Sequence, residues 1–163
     1  MAIKVTNRTA TGLAPYRSSL AGTLLAAREA VMAPIRPILR GPGVTEQQWR
    51  VLRVLSDEEP CEPSRLAQYA LLHGPSVTRI LKELTDRGLV VREANPADGR
   101  SSVLTLAPAG RSLIRETAAH TVELLEAYRR AFGAERLEAL QKELVALTEA
   151  VSTFSEKVAA DTD

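Results

Sequence analysis

The chain alternates apolar and polar positions mostly at the three- and four-residue spacing of amphipathic helices. From Leu20 to Ile38 this spacing predicts a helix of about five turns. Pro34 and Pro37 fall in its last third and each lacks a backbone N–H donor, so we expect a kink or an early end there. Residues 1–17 show no clear period, and we interpret them as a tail or arm.

Two further helices are predicted downstream. Thr45 and Gln48 form a capping-box pattern, which predicts a helix over residues 46–57. A short third helix should follow Pro63. The apolar face expected for it consists of Leu66, Ala67, Ala70 and Leu71.

A fourth helix and a β-hairpin come next. Pro75 is well placed to begin the helix and Gly88 to end it. Its apolar face should consist of Val77, Ile80, Leu81 and Leu84. Residues 89–93 and 102–106 are rich in β-branched side chains and predict two strands, joined by a turn at 95–100.

The C-terminal part should be two long helices. One is predicted from Pro108 to Phe132, and Gly133 should end it. The next carries apolar residues at alternating spacings of three and four, which is typical of a helix that packs along another helix. These residues are Leu137, Leu140, Leu144, Leu147, Val151, Phe154 and Val158. Such a seam would be untenable on the surface of a monomer, although it could also be buried within one chain.

The order of elements predicts a mainly α fold with a small β-hairpin wing, the winged helix-turn-helix. The joint between the third and fourth helices is short and contains a glycine, as this motif requires. We therefore predict a DNA-binding domain over 43–107. A helix-turn-helix protein needs two-fold symmetry to read a pseudo-palindrome, so we predict an N-terminal dimerisation helix over 18–42 and C-terminal dimerisation helices over 108–160.

The fourth helix would then be the recognition helix. Arg79 is expected to reach guanine and Lys82 to neutralise a phosphate, while Arg100 on the wing would enter a narrow minor groove. Gly99 would permit the tight turn, and Asp98 would brace it. The full set of predicted DNA contacts is Ser64, Arg65, Pro75, Ser76, Thr78, Arg79, Lys82, Asp98, Gly99, Arg100 and Ser101. The alternative is an ordinary solvated helix face and surface hairpin.

Charge is distributed unevenly along the chain. The formal net charge is +1, but residues 1–60 and 74–115 each carry +3, whereas residues 116–163 carry −5. A basic middle beside an acidic end suggests a polyanion-binding module joined to a different region. Chance variation between solvated helix faces would give the same pattern.

Other classes of function find little support. Two histidines, one cysteine and no glycine-rich phosphate loop argue against an enzyme, a metal site or a cofactor, and six aromatic residues give no platform for stacking RNA bases. Cys61 lies among glutamates, so we expect an inert loop thiol. No apolar run suggests a membrane span or signal peptide, and we expect a cytoplasmic protein. The alternative function is a winged helix used for protein–protein docking.

The stretch from "VTEQQWRVLRVL" to "LTDRGLVVREANPADGRSSVLTLAPAG" resembles the MarR family of bacterial transcription regulators. The family's wing pattern, Asp-x-Arg followed by Leu-x-Leu and a later glycine, matches Asp98, Arg100, Leu104, Leu106 and Gly110. The resemblance covers about residues 20–158. It implies a homodimer that binds double-stranded DNA at a pseudo-palindromic operator.

Within the family, "LLAAREAVMAPIRPIL" followed by "VTEQQWRVLRVL" resembles regulators of homoprotocatechuate (hydroxyphenylacetate) degradation operons. This resemblance implies a repressor of an aromatic-acid catabolic operon, released by a small aromatic acid or its thioester. The predicted ligand residues are Arg28, Met32, Ile35, Arg36, Trp49 and His73. The predicted dimer interface consists of Leu20, Leu24, Leu137, Leu140, Leu144, Leu147, Val151 and Phe154. Alternatively, Arg28 pairs across the interface, Arg36 faces solvent and Trp49 belongs to the core.

Overall fold

The computed structural model describes residues 12–96 and 98–160. The chain divides into two compact units, one ending at Ala118 and the other beginning at Ala119. The helices are α1 (Leu20–Met32), α2 (Ile35–Arg40), α3 (Glu46–Glu58), α4 (Pro63–Tyr69), α5 (Gly74–Asp86), α6 (Pro108–Phe132) and α7 (Ala134–Ala160). Strands β1 (Val90–Asn95) and β2 (Asp98–Leu106) pair in antiparallel fashion. Residues 1–11 of the predicted N-terminal tail lie outside the described residues. In the remainder of that tail, a 3-10 turn begins at Tyr16 and extends to Ser18.

The sequence of elements from α3 to β2 forms a winged helix-turn-helix, as predicted. Its core brings together side chains from both sides of the α4–α5 turn and from the hairpin. The largest fully buried side chains are Leu52, Leu55, Leu66, Ile80, Leu84, Leu104, Val51, Val90 and Cys61. Because the apolar face of α5 points into this core, its opposite face is left for solvent.

The predicted start of α3 is confirmed in detail. The Thr45 hydroxyl accepts from the N–H of Gln48, and the Gln48 side chain accepts in return from the N–H of Thr45. This reciprocal cap satisfies two backbone donors that the first turn of a helix leaves without partners. The start of α3 is therefore fixed by residues that the sequence already identifies.

The first predicted helix is broken where proline was expected to disturb it. α1 ends at Met32, and α2 begins at Ile35 directly after Pro34. Pro37 is accommodated within α2. The break changes the direction in which residues after Pro34 project, and this matters for the predicted ligand residues.

The expected apolar face of α4 is wrong at its last position. Leu66 and Ala70 are buried, but the side chain of Leu71 is 83% exposed. The helix ends at Tyr69, and Leu71 adopts a left-handed backbone conformation with a φ of 51°. Leu71 is therefore outside the helical repeat from which its burial was predicted.

The wing differs from the predicted hairpin in its register. β1 and β2 extend into the expected turn, so that Asn95 pairs with Asp98, whereas Ala94 pairs with Ser102. The intervening residues of β2, including Arg100, lie in an irregular part of the ladder and not at the tip. Side-chain bonds explain the irregularity, because Asn95 Nδ2 donates to Ser101 Oγ over 3.0 Å and the N–H of Arg100 donates to Asp98 Oδ1 over 3.1 Å.

Cys61 is not a loop residue as expected. It forms a β-bridge with Leu104, through backbone hydrogen bonds of 3.1 and 2.9 Å, and only 1% of it is exposed. Burial is the main cause that raises the pKa of its thiol; the charge of Arg65 opposes the rise, and those of Glu58 and Glu62 add to it. The net rise disfavours the thiolate, which is consistent with an inert residue.

The two long helices match the prediction. α6 ends at Phe132, and Gly133 follows with a φ of 97°, a conformation that favours glycine. Leu113 and Ile114 at the beginning of α6 join the core of the first unit. In the part of the chain that the structure describes, no helix combines the length and apolar character needed to cross a membrane.

Candidate functional site

The exposed face of α5 carries the basic and hydroxyl residues predicted for a recognition helix. The side chains of Arg79 and Lys82 are 65% and 78% exposed. Thr78 is also exposed, and its hydroxyl donates to the carbonyl of Gly74 in the first turn. Ser76 is half-buried and Pro75 is exposed. A helix that presents small side chains at its beginning and basic ones further along has the form required to enter a major groove.

Each of the two cations on this face has an acidic partner one helical turn further on. Arg79 Nη1 lies 2.7 Å from Glu83 Oε1, and Lys82 Nζ lies 3.1 Å from Asp86 Oδ2. Exposed pairs at this spacing stabilise a helix by only about 0.3–0.5 kcal/mol. Pairs of this strength do not prevent either cation from donating its other N–H groups to a phosphate or a base.

The predicted contacts on α4 are exposed, but one of them is engaged within the protein. Arg65 donates to the hydroxyl of Tyr69 over 3.0 Å and pairs with Glu58 over 3.1 Å. Its guanidinium also lies over the Tyr69 ring, 5.1 Å from the centroid. Ser64 is exposed beside it at the start of α4.

The wing presents Asp98, Arg100 and Ser101 near the end of the hairpin. Asp98 braces the chain as predicted, since its carboxylate accepts from the N–H of Arg100 and its carbonyl from the hydroxyl of Ser101. Asp98 and Arg100 are exposed, and Ser101 is half-buried. The surroundings of Gly99 lie outside the described residues, so its predicted role in the turn stays a prediction.

A cavity of about 300 Å³ lies beside α3. It is lined by Arg28, Met32, Glu46, Trp49, Arg50, Arg53 and Leu71. Trp49 and Met32 supply an aromatic and apolar wall, whereas three arginines face one glutamate. This combination is suited to a small, flat organic anion, because the ring would pack on apolar surface while a guanidinium binds the negative group.

An ion-pair cluster joins α1, α2 and the start of α3 next to this cavity. Arg28 lies 2.7 Å from both Glu29 and Glu46, and Arg36 pairs with the same two carboxylates. The hydrogen bond from the Arg36 guanidinium is the largest cause that lowers the pKa of the Glu46 carboxyl, and Arg28 acts in the same direction. Glu46 therefore remains ionised and holds Arg28 at the edge of the cavity.

Three of the six predicted ligand residues, Arg28, Met32 and Trp49, line this cavity, and three lie outside it. Ile35 packs against the hydrophobic core, and Arg36 turns to its carboxylate partners, because both follow the helix break at Pro34. His73 is exposed at the N-cap of α5.

Arg50 and Arg53 also line the cavity, although neither is among the ligand residues predicted from the sequence. Glu46, Trp49, Arg50 and Arg53 follow one another at i, i+3, i+4 and i+7, and therefore lie on one side of α3. The same spacing test that identified apolar faces would have found this polar stripe.

The second unit leaves most of its predicted apolar seam on the surface. Leu140, Leu144, Val151 and Phe154 are exposed on α7, while Leu137 and Leu147 are half-buried. The side chain of Val158 lies outside the described residues. In the first unit, Leu20 and Leu24 are likewise exposed on α1.

Comparison with known sequences identifies relatives among bacterial transcriptional regulators. A model of the MarR family matches residues 43–101. The HTH-type transcriptional regulator FarR of Neisseria gonorrhoeae is 37% identical over 123 residues, which cover 76% of this chain and 84% of FarR. The homoprotocatechuate degradative operon repressor of Escherichia coli is 36% identical over 125 residues, covering 75% of this chain and 82% of that protein.

Solved structures with a similar sequence also share the fold. NadR in complex with 4-hydroxyphenylacetate superposes with a TM-score of 0.73 at 35% identity, covering 80% of this chain and 92% of NadR. The transcriptional regulator PA4135 superposes with a TM-score of 0.76 at 36% identity, covering 82% and 98% of the two chains. These relatives are transcriptional regulators and not enzymes, and the chain belongs to the MarR family of winged helix-turn-helix transcriptional regulators.

Proposed function

We propose that this protein is a cytoplasmic homodimeric repressor that binds a pseudo-palindromic operator and is released by a small aromatic acid or its thioester. In this proposal residues 43–107 bind DNA, whereas residues 18–42 and 108–160 form the dimer. The observation that carries it is the cavity beside α3, where Trp49 and Met32 meet an excess of guanidinium groups. A regulator of an aromatic-acid catabolic operon would need a site of this chemistry.

DNA binding is supported by the exposed cations of α5 and the wing. Arg79 and Lys82 would enter the major groove with α5, and Arg100 would reach the adjacent minor groove. Ser64, Pro75, Ser76, Thr78 and Ser101 would add contacts around them. The carboxylate partners of Arg79 and Lys82 keep both side chains on the exposed face.

The effector is supported by two of the relatives. One is named for the repression of a homoprotocatechuate degradative operon, and NadR was crystallised with 4-hydroxyphenylacetate. Both compounds combine a phenolic ring with a carboxylate. In the cavity, we propose that Trp49 packs against the ring and that Arg28 binds the carboxylate, while Glu46 keeps Arg28 in place.

Binding to the protein's own upstream promoter region tests the proposal. Fluorescence anisotropy at two salt concentrations should show binding that is tight, salt-sensitive and lost on a scrambled duplex. Titration with 4-hydroxyphenylacetate, its catechol analogue, and hydroxycinnamates with their thioesters should then release the DNA. Trp49 gives an independent fluorescence signal, because it is the single tryptophan of the chain. Equal binding to every duplex, or none, would overturn the proposal in favour of a docking module.

Replacing Arg100 with alanine should weaken operator binding by about 1–3 kcal/mol. The variant loses the attraction between the guanidinium and the negative potential of a narrow minor groove. Anisotropy titration measures the change. The variant Arg100→Lys is the control, since it keeps the charge but binds water more strongly, and its affinity should be intermediate. Operator affinity that is the same in parent and Arg100→Ala would contradict a DNA contact by the wing.

Replacing Arg28 with alanine should leave operator affinity unchanged and raise the effector concentration needed for release about tenfold or more, since a charge-assisted bond is worth about 1.5–3 kcal/mol. Arg36→Ala is a matched control, because Arg36 pairs with the same Glu29 and Glu46 but lies outside the cavity. Release should remain normal in that variant. Equal losses in both variants would assign the effect to the ion-pair cluster and not to ligand binding.

A further inference from the structure

Gln48 is a buried polar residue whose side chain joins two helices. Only 6% of it is exposed. Its Oε1 accepts from the N–H of Thr45 over 3.0 Å, and its Nε2 donates to Glu83 Oε2 on α5 over 2.8 Å. These partners fix the orientation of the amide, because an N–H can only donate and an ionised carboxylate can only accept. The start of α3 is thereby tied to the last turn of the recognition helix.

Glu83 continues the connection to the exposed face of α5. Its second oxygen, Oε1, accepts from Arg79 Nη1 over 2.7 Å. One carboxylate thus receives a hydrogen bond from a buried amide and another from an exposed guanidinium. The result is a relay that runs from the backbone of Thr45 through Gln48 and Glu83 to Arg79.

The neighbouring pair on α5 has the same spacing but is not anchored in this way. Lys82 and Asp86 lie 3.1 Å apart, and their side chains are 78% and 63% exposed. Among the hydrogen bonds of the described residues, this pair has no link to α3. The Lys82 side chain can therefore reorient toward any nearby phosphate. The Arg79 side chain is fixed by Glu83, which is itself fixed by Gln48.

We propose that Gln48 and Glu83 are positioning residues for sequence readout, which hold the Arg79 guanidinium in the orientation that meets one guanine of each half-site. This inference rests on the proposed DNA-binding function. A guanidinium that is already oriented loses less conformational freedom when it binds a base. Because Glu83 engages Nη1, the remaining N–H groups of Arg79 can donate to guanine O6 and N7. The carboxylate also reduces the attraction of Arg79 to phosphates in general, so the relay favours base contact over non-specific binding.

The first variant that tests the relay is Glu83→Gln. A glutamine at this position has one carbonyl oxygen, which cannot occupy both of the positions that the Glu83 oxygens hold. Its NH2 group would then face either the Gln48 amide donor or the Arg79 guanidinium, and one of the two hydrogen bonds would be lost. Binding would be measured by anisotropy on the operator and on duplexes in which each G·C pair of the half-site is replaced in turn by A·T. Arg79→Ala should lose discrimination at one G·C pair by roughly 5- to 150-fold. Glu83→Gln should lose roughly tenfold at the same pair and have no further effect when Arg79 is already alanine.

Asp86→Asn is the matched control, because it removes the same charge from the same helix. It should change affinity for all duplexes by a common factor and leave discrimination intact.

The variant Gln48→Glu tests the relay at its first side chain, on α3, without changing α5. A carboxylate there can still accept from the N–H of Thr45, so the cap is kept, and in its ionised form it cannot donate to Glu83. Because two carboxylates this close favour sharing a proton, this variant and the parent are both measured at alkaline pH. It should lose discrimination at the same G·C pair as Glu83→Gln, although residue 48 is buried and on another helix.

The outcomes separate this inference from the function on which it rests. If the parent discriminates between duplexes while Glu83→Gln behaves like Asp86→Asn, the relay is overturned and the proposed function stands. If the parent binds the operator no better than a scrambled duplex, the proposed function fails, and the relay fails with it. Loss of discrimination at the same pair in Glu83→Gln and Gln48→Glu, but not in Asp86→Asn, would establish the relay.

Discussion

Replacing Gly110 with alanine is expected to destabilise the winged domain by about 3 kcal/mol. A Cβ at this position would lie 2.1 Å from the carbonyl oxygen of Leu89 and 3.1 Å from its carbon. That carbonyl already accepts from the N–H of Ala107 at the entrance to α6. Both obstacles are backbone atoms, so relief would require α6 to move away from the junction of α5 and β1. Urea denaturation followed by circular dichroism measures the change.

The same substitution at Gly74 is the matched control. Gly74 begins α5, and a Cβ there would meet no atom within 4 Å. Since alanine favours a helix more than glycine does, Gly74→Ala should leave stability unchanged or raise it by up to about 1 kcal/mol. If Gly110→Ala unfolded at the same urea concentration as the parent, the close approach of α6 to Leu89 would not be a requirement of the fold.

Local rules were sufficient to predict most of the fold from the sequence. The capping box of Thr45 and Gln48 fixed the start of α3, and the spacing of Val77, Ile80 and Leu84 identified the buried face of α5. Gly133 ended α6 where expected. In each case the signal lies within one or two helical turns, so no knowledge of tertiary contacts was needed.

The errors occurred where structure depends on details that periodicity does not contain. Leu71 continues the apolar repeat of α4, but its positive φ removes it from the helix and leaves it exposed. In the wing, side-chain bonds among Asn95, Asp98 and Ser101 shift the register, whereas alternation alone predicts a regular ladder. Cys61 joins the sheet through a single bridge that is too short to give a strand pattern.

The candidate site was predictable to a similar extent. Arg79 and Lys82 were placed correctly on the exposed face of α5 because a helical wheel is enough to place them. The connection from Gln48 to Glu83 joins residues 35 positions apart, so it depends on how α3 packs against α5. Likewise, Arg28 lines the cavity and Arg36 does not, because the helix break at Pro34 lies between them.

Replacing Leu144 with aspartate is expected to convert the proposed dimer into monomers and to weaken operator binding about a thousandfold or more. Leu144 is the third of the seven seam residues on α7, and 37% of it is exposed in the single chain. A second copy would bury this side chain and its neighbours, each worth about 1.5–3 kcal/mol, and aspartate would place a charge in that interface. A monomer contacts one half-site, so its affinity should approach that of non-specific binding.

Sedimentation equilibrium and anisotropy on one sample distinguish loss of assembly from loss of folding. Because Leu144 is exposed in the single chain, the variant should keep the parent's circular dichroism spectrum. Ala146→Asp adds the same charge to α7 at an exposed position on another side of the helix, and it should remain dimeric and bind normally. A Leu144→Asp protein that stays dimeric would exclude this seam as the interface. A monomeric protein with full operator affinity would instead show that one winged domain is enough for recognition. Operator binding would then not require two-fold symmetry.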